Sequence, residues 1–390
     1  MSRERQIVVV FSGGGTGGHL YPALTLADAL SSLRSDVRPF FVGARRGVEA
    51  RVLPERGVEH ELLPVQGLKR GRLVDNLSVL RKLTTSLGEL VAIFRELRPE
   101  LVVVTGGYAA APAGLVAAMM RIPLVVQEQN AVPGLTSRLL SLWAQEVHLA
   151  FPEARAHLPW PARREARVSG NPVRPPTDLP RREAVERFGL DSDGFVVLVL
   201  GGSQGSLALN RALLQIVEGV VEGRLPRPGH AQLLWATGPD HEDEVRERLA
   251  ALGEPRWVRA IGYIREIPDA LAAADLAVSR GGAMATAEFL AWGLPAVLVP
   301  LPTSAADHQS RNADALAAVG AAVHMPEEDL TPDLLWNEVV RLVRNPFQLS
   351  GMASAARKRG RPHAARDIAR HLAEHLPPAR ETNAVAGGAP

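Results

Sequence analysis

Short apolar runs, each followed by a segment with helical spacing, alternate along the first part of the chain. The run at 7–11 leads through a cluster of glycines into a helix that we predict from about Pro22 to Leu33, because apolar residues recur there three and four positions apart. Further apolar runs lie at 38–43, 101–107 and 123–130. Continuous apolar strands, each followed by a helix, are typical of a parallel sheet covered on both faces. The pattern therefore predicts an α/β protein.

A segment rich in proline and arginine, residues 152–180, interrupts this pattern, which then starts again. The second part carries four apolar runs, at 195–200, 231–238, 275–280 and 295–300. We therefore predict two α/β domains, 1–172 and 173–344, with helices at about 345–375 completing the first. The small, polar tail 376–390 is predicted to be disordered.

Composition narrows the class of protein further. The chain has 390 residues, too many for one ordinary core, and its formal net charge of +2 gives no sign of nucleic-acid binding. The absence of cysteine excludes disulfides and thiolate metal sites. The N-terminal apolar run is too short for a signal peptide, and no stretch approaches the ~20 apolar residues of a membrane span. We therefore expect a cytoplasmic protein.

The first glycine cluster, GGGTGGH at 13–19, follows a predicted strand and precedes a helix. Gly13, Gly15 and Gly18 have the spacing of phosphate-binding loops, in which backbone N–H groups and a helix N-terminus attract an anion. A P-loop needs Lys-Ser/Thr after the last glycine, where His19 stands, and a dinucleotide site needs an acidic residue after the second strand, which is missing. A tight turn that packs the helix on the sheet is the alternative.

A second glycine loop, at 200–210, also joins an apolar run to a helix. It contains three glycines and two serines: Gly201, Gly202, Ser203, Gly205 and Ser206. One such loop in each half favours two anionic ligands that meet in a cleft, at the carboxyl ends of the strands.

Polar residues follow other predicted strands, where open parallel sheets place ligand contacts. QEQN at 127–130 offers Glu128 and Asn130 as candidates, with a helix cap or a buried polar network as the alternative. Tyr108, in TGGYAAAPAG, either lines the cleft or packs in the core.

The second half has two comparable groups. SRGGAMATAE places Arg280 at a strand end, suited to pair with a phosphate, and Glu288 in the following helix, suited to accept both hydroxyls of a ribose. A solvated Arg/Glu pair is the alternative. ADHQSRNA supplies four side chains that suit a polyhydroxylated ligand: Asp307, His308, Gln309 and Asn312. No other histidine lies at ligand spacing, so we predict no metal site.

The segment 69–97 is amphipathic, and its leucines and Phe94 form a helical stripe that is most simply the core face of a crossover helix. Basic residues cluster near its start, beside Val79, which lies off the stripe: Lys69, Arg70, Arg72, Arg81 and Lys82. A basic and apolar patch can hold a protein on an anionic membrane, with ~1 kcal/mol per basic residue.

Together the motifs resemble those of the MurG family, the glycosyltransferases of peptidoglycan synthesis. GGGTGGHLYPA, TGGYAAAPAG, QEQNAVPG, SGNPVR, GGSQG, SRGGAMATAE and DHQSRNA occur in that family's order, from about residue 7 to 325. The resemblance implies the GT-B fold, in which two Rossmann-like domains face each other across a cleft. It also implies an inverting transfer of N-acetylglucosamine (GlcNAc) from UDP-GlcNAc to the muramyl 4-hydroxyl of undecaprenyl-linked lipid I, which forms lipid II.

The resemblance further implies that the reaction needs neither a metal nor another cofactor. It implies a peripheral protein at the cytoplasmic side of the cell membrane, where the basic and apolar patch at 69–97 would dock. Other cell-wall synthesis proteins are expected partners, and nucleic acid is not.

The resemblance also assigns roles to individual residues. The acceptor diphosphate is expected at Gly14, Gly15 and Thr16, with Tyr108 nearby, and His19 is the candidate base. Glu128 is the rival base or the group that orients His19. The donor site is expected to use residues of both halves: Thr16, Gly17, Gly18, Asn130, Arg174, Gly202, Ser203, Ile264, Arg280, Glu288, His308 and Gln309. Within this site, uracil is expected at Arg174 and the backbone around Ile264, and the phosphates at Ser203. The ribose is expected at Glu288, and the hydroxyls of the donor sugar at His308 and Gln309.

Two positions depart from the family pattern. Gln127 stands where many members have histidine, so this position is not an essential base here. Ala285 stands where threonine is usual, with Thr286 next to it, so one phosphate hydrogen bond is either lost or reassigned.

The residue types fit the implied chemistry. Imidazole suits removal of the acceptor's proton near neutral pH, and the N–H groups of the 201–206 loop with Arg280 suit stabilisation of the leaving UDP. Transfer to another lipid acceptor, epimerisation of UDP-GlcNAc and a non-catalytic nucleotide-sugar sensor are the alternatives. A nicotinamide dehydrogenase is disfavoured, because the acidic residue after the second strand is missing.

Overall fold

The computed structural model of the protein describes residues 6–67 and 73–378. The strands of the first unit are β1 Ile7–Ser12, β2 Val37–Ala44, β3 His60–Leu63, β4 Leu101–Val104, β5 Leu124–Glu128, β6 Glu146–Leu149 and β7 Ala166–Val168. They form one parallel sheet in the order β3-β2-β1-β4-β5-β6-β7. Its helices are α1 Gly17–Leu33, α2 Glu49–Glu55, α3 Leu73–Leu97, α4 Ala111–Met120, α5 Leu135–Leu140 and α6 Ala154–His157.

The strands of the second unit are β8 Val196–Leu200, β9 Gln232–Ala236, β10 Val258–Ile261, β11 Leu276–Ser279, β12 Ala296–Leu298 and β13 Ala322–His324. They also form a parallel sheet, in the order β10-β9-β8-β11-β12-β13. The helices that follow the first unit are α7 Arg181–Arg187, α8 Leu207–Val221, α9 Glu242–Ala251, α10 Ile267–Ala273, α11 Ala283–Trp292, α12 His308–Ala318, α13 Pro332–Val343, α14 Pro346–Arg359 and α15 Ala364–Glu374.

The central strands are apolar on both faces because helices cover both. On β1, Val9 and Phe11 belong to a core cluster shared with α1 and α15. Val8 and Val10 belong to the opposite cluster, shared with α3 and α4. The continuous apolar runs therefore correspond to strands buried from both sides, and the prediction of two parallel α/β units is confirmed.

In each sheet the chain changes its direction of winding between two neighbouring strands, β1 and β4 in the first and β8 and β11 in the second. Open parallel sheets bind ligands outside the carboxyl ends of strands at such a switch point. The loops that leave these four strands are GGGTGG, TGGY, GGSQG and RGGA. The fold therefore brings the predicted loops to the binding edge of each sheet.

The C-terminal helices divide between the two units, which corrects the expectation that 345–375 as a whole completes the first. Helix α14 packs against α11 and α13 of the second unit. Helix α15 packs against α1, and Ile368 and Leu372 are fully buried in the first unit's core. Leu376, at the start of the predicted tail, is buried there too, and residues 379–390 lie outside the described residues.

Helix α1 begins at Gly17, five residues before the predicted start at Pro22. Proline lacks the N–H that would bond the carbonyl of Gly18, but Gly18 is exposed, so water can take this bond. Helix α3 confirms the core stripe in its C-terminal half, where Leu90 and Phe94 are buried. Val79 is also buried, which corrects its expected place on a surface patch.

Of the basic residues in that patch, Lys69, Arg70 and Arg72 lie outside the described residues. In the described part of the chain, no helix is both long and apolar enough to span a bilayer.

Candidate active site

The first glycine loop is shaped by close packing. A Cβ on Gly13 would lie 1.8 Å from Oγ1 of Thr105, so the loop approaches the end of β4 as only glycine allows. Gly15 has a φ of +87°, and its N–H donates to both carboxylate oxygens of Glu49, at 3.1 and 3.0 Å. Glu49 is fully buried and also accepts from the N–H of Ala44. This internal anion therefore takes one of the N–H groups that we assigned to a ligand.

The start of α1 remains open to an anion. Thr16 is the N-cap residue, is exposed, and makes no capping hydrogen bond. Gly17 and Gly18 form the first turn, whose N–H groups have no acceptor within a helix. The ring of Tyr108 packs on the loop, since a Cβ on Gly15 would lie 2.5 Å from its Cε1. Burial and the Glu49 carboxylate raise the pKa of Tyr108, so the phenol stays neutral beside the loop.

His19 lies in the first turn of α1, and its ring is held at one nitrogen. Nδ1 lies 3.0 Å from the carbonyl oxygen of Thr105 and 2.8 Å from Oε1 of Gln129. Oγ1 of Thr105 also donates to the backbone carbonyl of His19, at 2.7 Å. A Cβ on Gly106 or Gly107 would come within about 3 Å of the ring, at 3.1 and 3.0 Å. Among the described residues Nε2 has no hydrogen-bond partner, so it is the nitrogen available to a ligand.

Glu128, at the end of β5, is buried with both oxygens engaged. Oε1 accepts from the backbone N–H of Asn130 at 2.9 Å and from its Nδ2 at 3.2 Å. Oε2 accepts from the N–H of Gly134 at 3.2 Å. These bonds shape the turn after β5, which favours a structural role for Glu128 over that of a base.

Asparagine side chains join the two units at the base of the cleft. Nδ2 of Asn312, in α12, donates to Oδ1 of Asn130 at 3.2 Å and to the carbonyl oxygen of Gly281 at 3.1 Å. Its Oδ1 accepts from the N–H of Ala131 at 2.9 Å. Asn171, in the linker, donates to the carbonyl oxygens of Gln129 and Ala283, in the first and second units. The predicted sites of the two sheets therefore face one cleft.

The second glycine loop forms a compact turn before α8. The N–H of Gly205 donates to the carbonyl oxygen of Gly202, and Ser206 caps α8 by accepting from the N–H of Leu209. Gly202 and Gly205 have φ angles of +93° and +79°. Ser203 is exposed at the tip. The exposed tip and the start of a 15-residue helix present N–H groups and a hydroxyl toward solvent.

Glu288 and Arg174 lie on the same side of this cleft. Glu288 is partly buried in α11, and none of the described residues forms a hydrogen bond with its carboxyl group. Burial raises its pKa to about 7, opposed by the nearby Arg174 guanidinium. Arg174 is exposed, whereas Ile264 is buried, so only the backbone around Ile264 is suited to contact a ligand. A partly buried carboxyl without internal donors suits a ligand that brings hydroxyl groups.

Arg280 is buried rather than solvated. Its Nη1 donates to the carbonyl oxygens of Val299 and Pro300, at 3.1 and 3.2 Å, and forms an ion pair with Glu327. Arg280 therefore pairs with Glu327, and not with Glu288 as in the alternative interpretation. Its role toward a phosphate stays a prediction.

His308 and Gln309 begin α12 beside the RGGA loop. Oε1 of Gln309 accepts from the N–H of Leu301 at 2.9 Å, and a Cβ on Gly281 would lie 2.4 Å from the Gln309 carbonyl oxygen. The turn before α12 holds two non-glycine residues in the left-handed region, Ala306 and Asp307, at φ of +52° and +57°. Such a turn stores backbone strain immediately before α12.

Known proteins resemble this chain over nearly its whole length. The family models for the glycosyltransferase family 28 N-terminal domain and C-terminal domain match residues 9–149 and 196–371. The crystal structure of Acinetobacter baumannii MurG superimposes with a TM-score of 0.73 at 26% identity, covering 95% of this chain and 99% of that one.

Two curated relatives decide the family. Both are called UDP-N-acetylglucosamine--N-acetylmuramyl-(pentapeptide) pyrophosphoryl-undecaprenol N-acetylglucosamine transferase. That of Desulfitobacterium hafniense (strain Y51) is 39% identical over 92% of this chain and 97% of its own length. That of Salinibacter ruber (strain DSM 13855 / M31) is 41% identical over 93% and 95%. This chain belongs to the MurG family. The two sheets are accordingly the two Rossmann-like domains of the GT-B fold.

One of the two positions that depart from the MurG pattern, Gln127, is internal in this structure, and so is Thr286, the neighbour of the other departure, Ala285. Gln127 is fully buried and bonds Gln129 and Asn171. Thr286 is also fully buried, and its Oγ1 donates to the carbonyl oxygens of Gly282 and Ala283. Thr286 is therefore not placed to replace the threonine missing at position 285.

Four residues of the site were not predicted from the sequence, and all of them except Glu49 lie within the quoted motifs. Gln129 and Thr105 hold His19, Glu49 holds the first loop, and Asn171 joins the two domains. Alternation was a usable signal for Gln129, because Gln129 follows two residues after Gln127 of β5. Side chains two apart along a strand share a face. No group of three or more metal-ligating side chains is found within 6–67 and 73–378.

Proposed function

We propose that the protein transfers N-acetylglucosamine from UDP-GlcNAc to the muramyl 4-hydroxyl of undecaprenyl-linked lipid I, with inversion at the anomeric carbon, forming lipid II. The observation that carries this proposal is the pair of glycine loops, one in each domain, that face one cleft, with His19 in the first turn of the helix after the first loop. The names of the relatives at 39% and 41% identity supply the substrates.

The donor binds to the second domain. The N–H groups at the start of α8 and the hydroxyl of Ser203 hold the diphosphate, since a helix N-terminus favours an anion. The ribose hydroxyls donate to Glu288, which has no described internal donor, and the uracil lies by Arg174 and the backbone at Ile264. Gln309 and His308, at the start of α12, read the sugar.

The acceptor binds to the first domain. Its diphosphate lies at the open start of α1, near Thr16, Gly17 and Gly18, with Tyr108 packed on the loop. Gly14 and Gly15 shape that loop, and the N–H of Gly15 is held by Glu49. Asn130 orients the two substrates from the turn after β5.

Transfer is a single displacement. As the acceptor oxygen bonds to the anomeric carbon, Nε2 of His19 takes its proton, and the bond from the anomeric carbon to the phosphate oxygen breaks with its electron pair on UDP. The N–H groups of the 201–206 loop stabilise that charge, and this type of donor typically contributes ~3–4 kcal/mol. The proposed reaction uses no metal or other cofactor.

The acceptor is a membrane lipid, so we also propose a peripheral protein that docks on the cytoplasmic face of the membrane. Leu135, Leu139, Leu142 and Trp143 are exposed along α5 and the turn after it, at 71%, 42%, 46% and 50%. Arg138 is exposed among them. Helix α4 packs on both α5 and α3. We therefore propose that this face and the described basic residues of α3, Arg81 and Lys82, act as one apolar and basic surface. Other cell-wall synthesis proteins are proposed partners of the membrane-bound enzyme.

UDP release tests the reaction. UDP-GlcNAc is incubated with the protein, with and without a lipid I analogue, and UDP is measured. We expect fast release only with the acceptor. Release that does not depend on the acceptor, or formation of an epimerised nucleotide sugar, would contradict the proposal; binding without release would indicate a sensor.

A further inference from the structure

The ring of His19 is held by a buried amide, Gln129, to which the mechanism above gives no part. We propose that Gln129 is a positioning residue that fixes His19 in the tautomer with the proton on Nδ1, an inference that rests on the proposed role of His19 as base.

The amide of Gln129 has only one orientation that satisfies its neighbours. Its Nε2 lies 2.7 Å from the carbonyl oxygen of Thr105 and 3.0 Å from that of Gln127, and it also donates to Oε1 of Gln127. Turning the amide over would place its oxygen against two carbonyl oxygens in a site that excludes water, since Gln129 is 1% exposed. Oε1 of Gln129 therefore faces His19.

This orientation decides the tautomer of His19. Nδ1 meets two oxygens that only accept, Oε1 of Gln129 at 2.8 Å and the carbonyl oxygen of Thr105 at 3.0 Å. The Nδ1 atom must then carry a hydrogen, because its lone pair would otherwise face both oxygens. In the neutral ring the lone pair is left on Nε2, the nitrogen without a partner among the described residues.

A chain of amides holds Gln129 in turn. Nε2 of Gln127 donates to Oδ1 of Asn171 at 3.0 Å, so the amide of Gln127 also has a fixed direction. Nδ2 of Asn171 donates to the carbonyl oxygen of Gln129 at 3.2 Å and to that of Ala283, the first residue of α11, at 3.1 Å. The orientation of the His19 ring is therefore linked to the helix that carries the donor-site Glu288.

The tautomer has a direct chemical consequence. Nε2 is free to accept the proton of the acceptor hydroxyl as its oxygen attacks the anomeric carbon. The resulting imidazolium keeps its Nδ1–H bonds to Gln129 and Thr105, and hydrogen bonds from a charged donor are stronger than those from a neutral one. With the proton on Nε2 instead, the ring would present a donor to the acceptor and could not act as base.

Nitrogen NMR of the full chain tests this inference. Histidine is labelled with ¹⁵N, the His19 signals are assigned by their loss in His19→Ala, and the shifts of the two ring nitrogens report the tautomer. The same spectra are recorded for Gln129→Met. Gln232→Met is the matched control, because Gln232 is also buried and bonds Asp191 in the second domain.

We expect the Nδ1–H form in the wild type, a population of the Nε2–H form in Gln129→Met, and no change in Gln232→Met. We also expect Gln129→Met to lower kcat about 10- to 100-fold with little change in KM for UDP-GlcNAc. A wild-type ring in the Nε2–H form would overturn the inference without any variant, and so would an unchanged tautomer in Gln129→Met. A changed tautomer with unchanged kcat would instead overturn the role of His19 as base, and leave the tautomer assignment standing.

Discussion

Nδ2 of Asn312 donates to Oδ1 of Asn130 across the domain boundary, at 3.2 Å. Asn312 also accepts from the N–H of Ala131 and donates to the carbonyl oxygen of Gly281, just before α11. Its side chain therefore holds the turn after β5 against α12 and the loop before α11 of the second domain. The domain arrangement therefore depends on polar groups that are buried only when the cleft has this geometry.

Asn312→Ala tests this dependence. The variant leaves the N–H of Ala131 and Oδ1 of Asn130 without a partner, so we expect the free energy of unfolding to fall by about 1–3 kcal/mol. We also expect a larger radius of gyration in small-angle scattering, because the domains separate. Asn345→Ala is the control: it removes the N-cap of α14 within the second domain and should lower stability with no change in the radius of gyration. An unchanged radius of gyration in Asn312→Ala would contradict this role.

Glu288→Gln tests the partly buried carboxyl of the proposed ribose site. The pKa of Glu288 is raised from 4.5 to about 7, so between these values the folded protein holds a proton that the unfolded chain releases. The free energy of unfolding therefore falls as pH rises from 4.5 to 7. The whole cost of ionising this carboxyl in the folded protein is present above pH 7. We expect Glu288→Gln to be more stable than the wild type at pH 8, by up to about 3 kcal/mol, with little difference near pH 4.

The same substitution should weaken UDP binding, since a neutral amide is a poorer acceptor for two ribose hydroxyls. Denaturation at both pH values and calorimetric titration with UDP measure the two effects. Glu244→Gln, an exposed glutamate of α9, should change neither. A Glu288→Gln protein that is less stable at pH 8 and binds UDP normally would remove Glu288 from the site.

Gly205 and Gly202 form a matched pair in the second loop. Both have a positive φ, but a Cβ on Gly205 would lie 2.1 Å from the carbonyl oxygen of Thr237, whereas one on Gly202 would meet open space. We expect Gly202→Ala to cost about 1–2 kcal/mol for the left-handed backbone. Gly205→Ala should cost about 1–3 kcal/mol more, because the loop must move. We also expect Gly205→Ala to lose UDP binding. Equal losses of stability in the two variants would contradict the close packing of Gly205 on the carbonyl oxygen of Thr237.

The sequence predicted the central strands of both sheets because they are apolar on both faces, and it predicted the two glycine loops from their place after β1 and β8. It did not reveal strands that are short or polar. Strand β6, EVHL, contains Glu146 and His148, which are buried because Arg167, His371 and His375 surround that carboxylate. The basic residues that surround the Glu146 carboxylate are distant from it in the chain, so no local sequence pattern indicates that this polar strand is buried.

In the site, too, some features were visible in the local sequence and others depend on contacts between distant residues. The position of His19 after the glycines was visible in the motif, whereas its contact with Gln129 joins residues 110 positions apart. Glu49 is an acidic residue at a helix start, and only the folded chain shows that it is aimed at Gly15. Arg280 follows a strand as predicted, but its partner Glu327 comes from a distant turn.

His19→Ala tests the base. We expect kcat to fall about 10²- to 10⁴-fold, with UDP affinity nearly unchanged, because the ring acts on the acceptor's proton and not on the nucleotide. Steady-state kinetics and UDP titration measure the two quantities. Glu128→Gln is the comparison. It should mainly lower stability, because Glu128 accepts from Asn130 and Gly134. Normal turnover of His19→Ala, or a stable Glu128→Gln protein without activity, would favour Glu128 as the base.

The exposed apolar surface next to α4 predicts binding to anionic vesicles. Leu139→Glu and Trp143→Glu each remove apolar burial worth about 1.5–3 kcal/mol in a bilayer interface, so each should weaken binding about tenfold or more. Co-sedimentation with vesicles that contain anionic lipid measures this. Phe347→Glu is the control, because Phe347 is 93% exposed on α14, which packs in the second domain. Reversing the charges of Arg81 and Lys82 should weaken binding as well; unchanged binding in all these variants would exclude this docking surface.

The structure of the lipid product tests the proposed transfer. Purified protein is incubated with UDP-GlcNAc and a lipid I analogue, and the lipid product is analysed by mass spectrometry and by NMR of the new anomeric proton. We expect one added N-acetylglucosamine in β-linkage to the muramyl 4-hydroxyl, with one UDP released per product. An α-linkage, attachment at another hydroxyl, or an unmodified lipid beside consumed UDP-GlcNAc would contradict it.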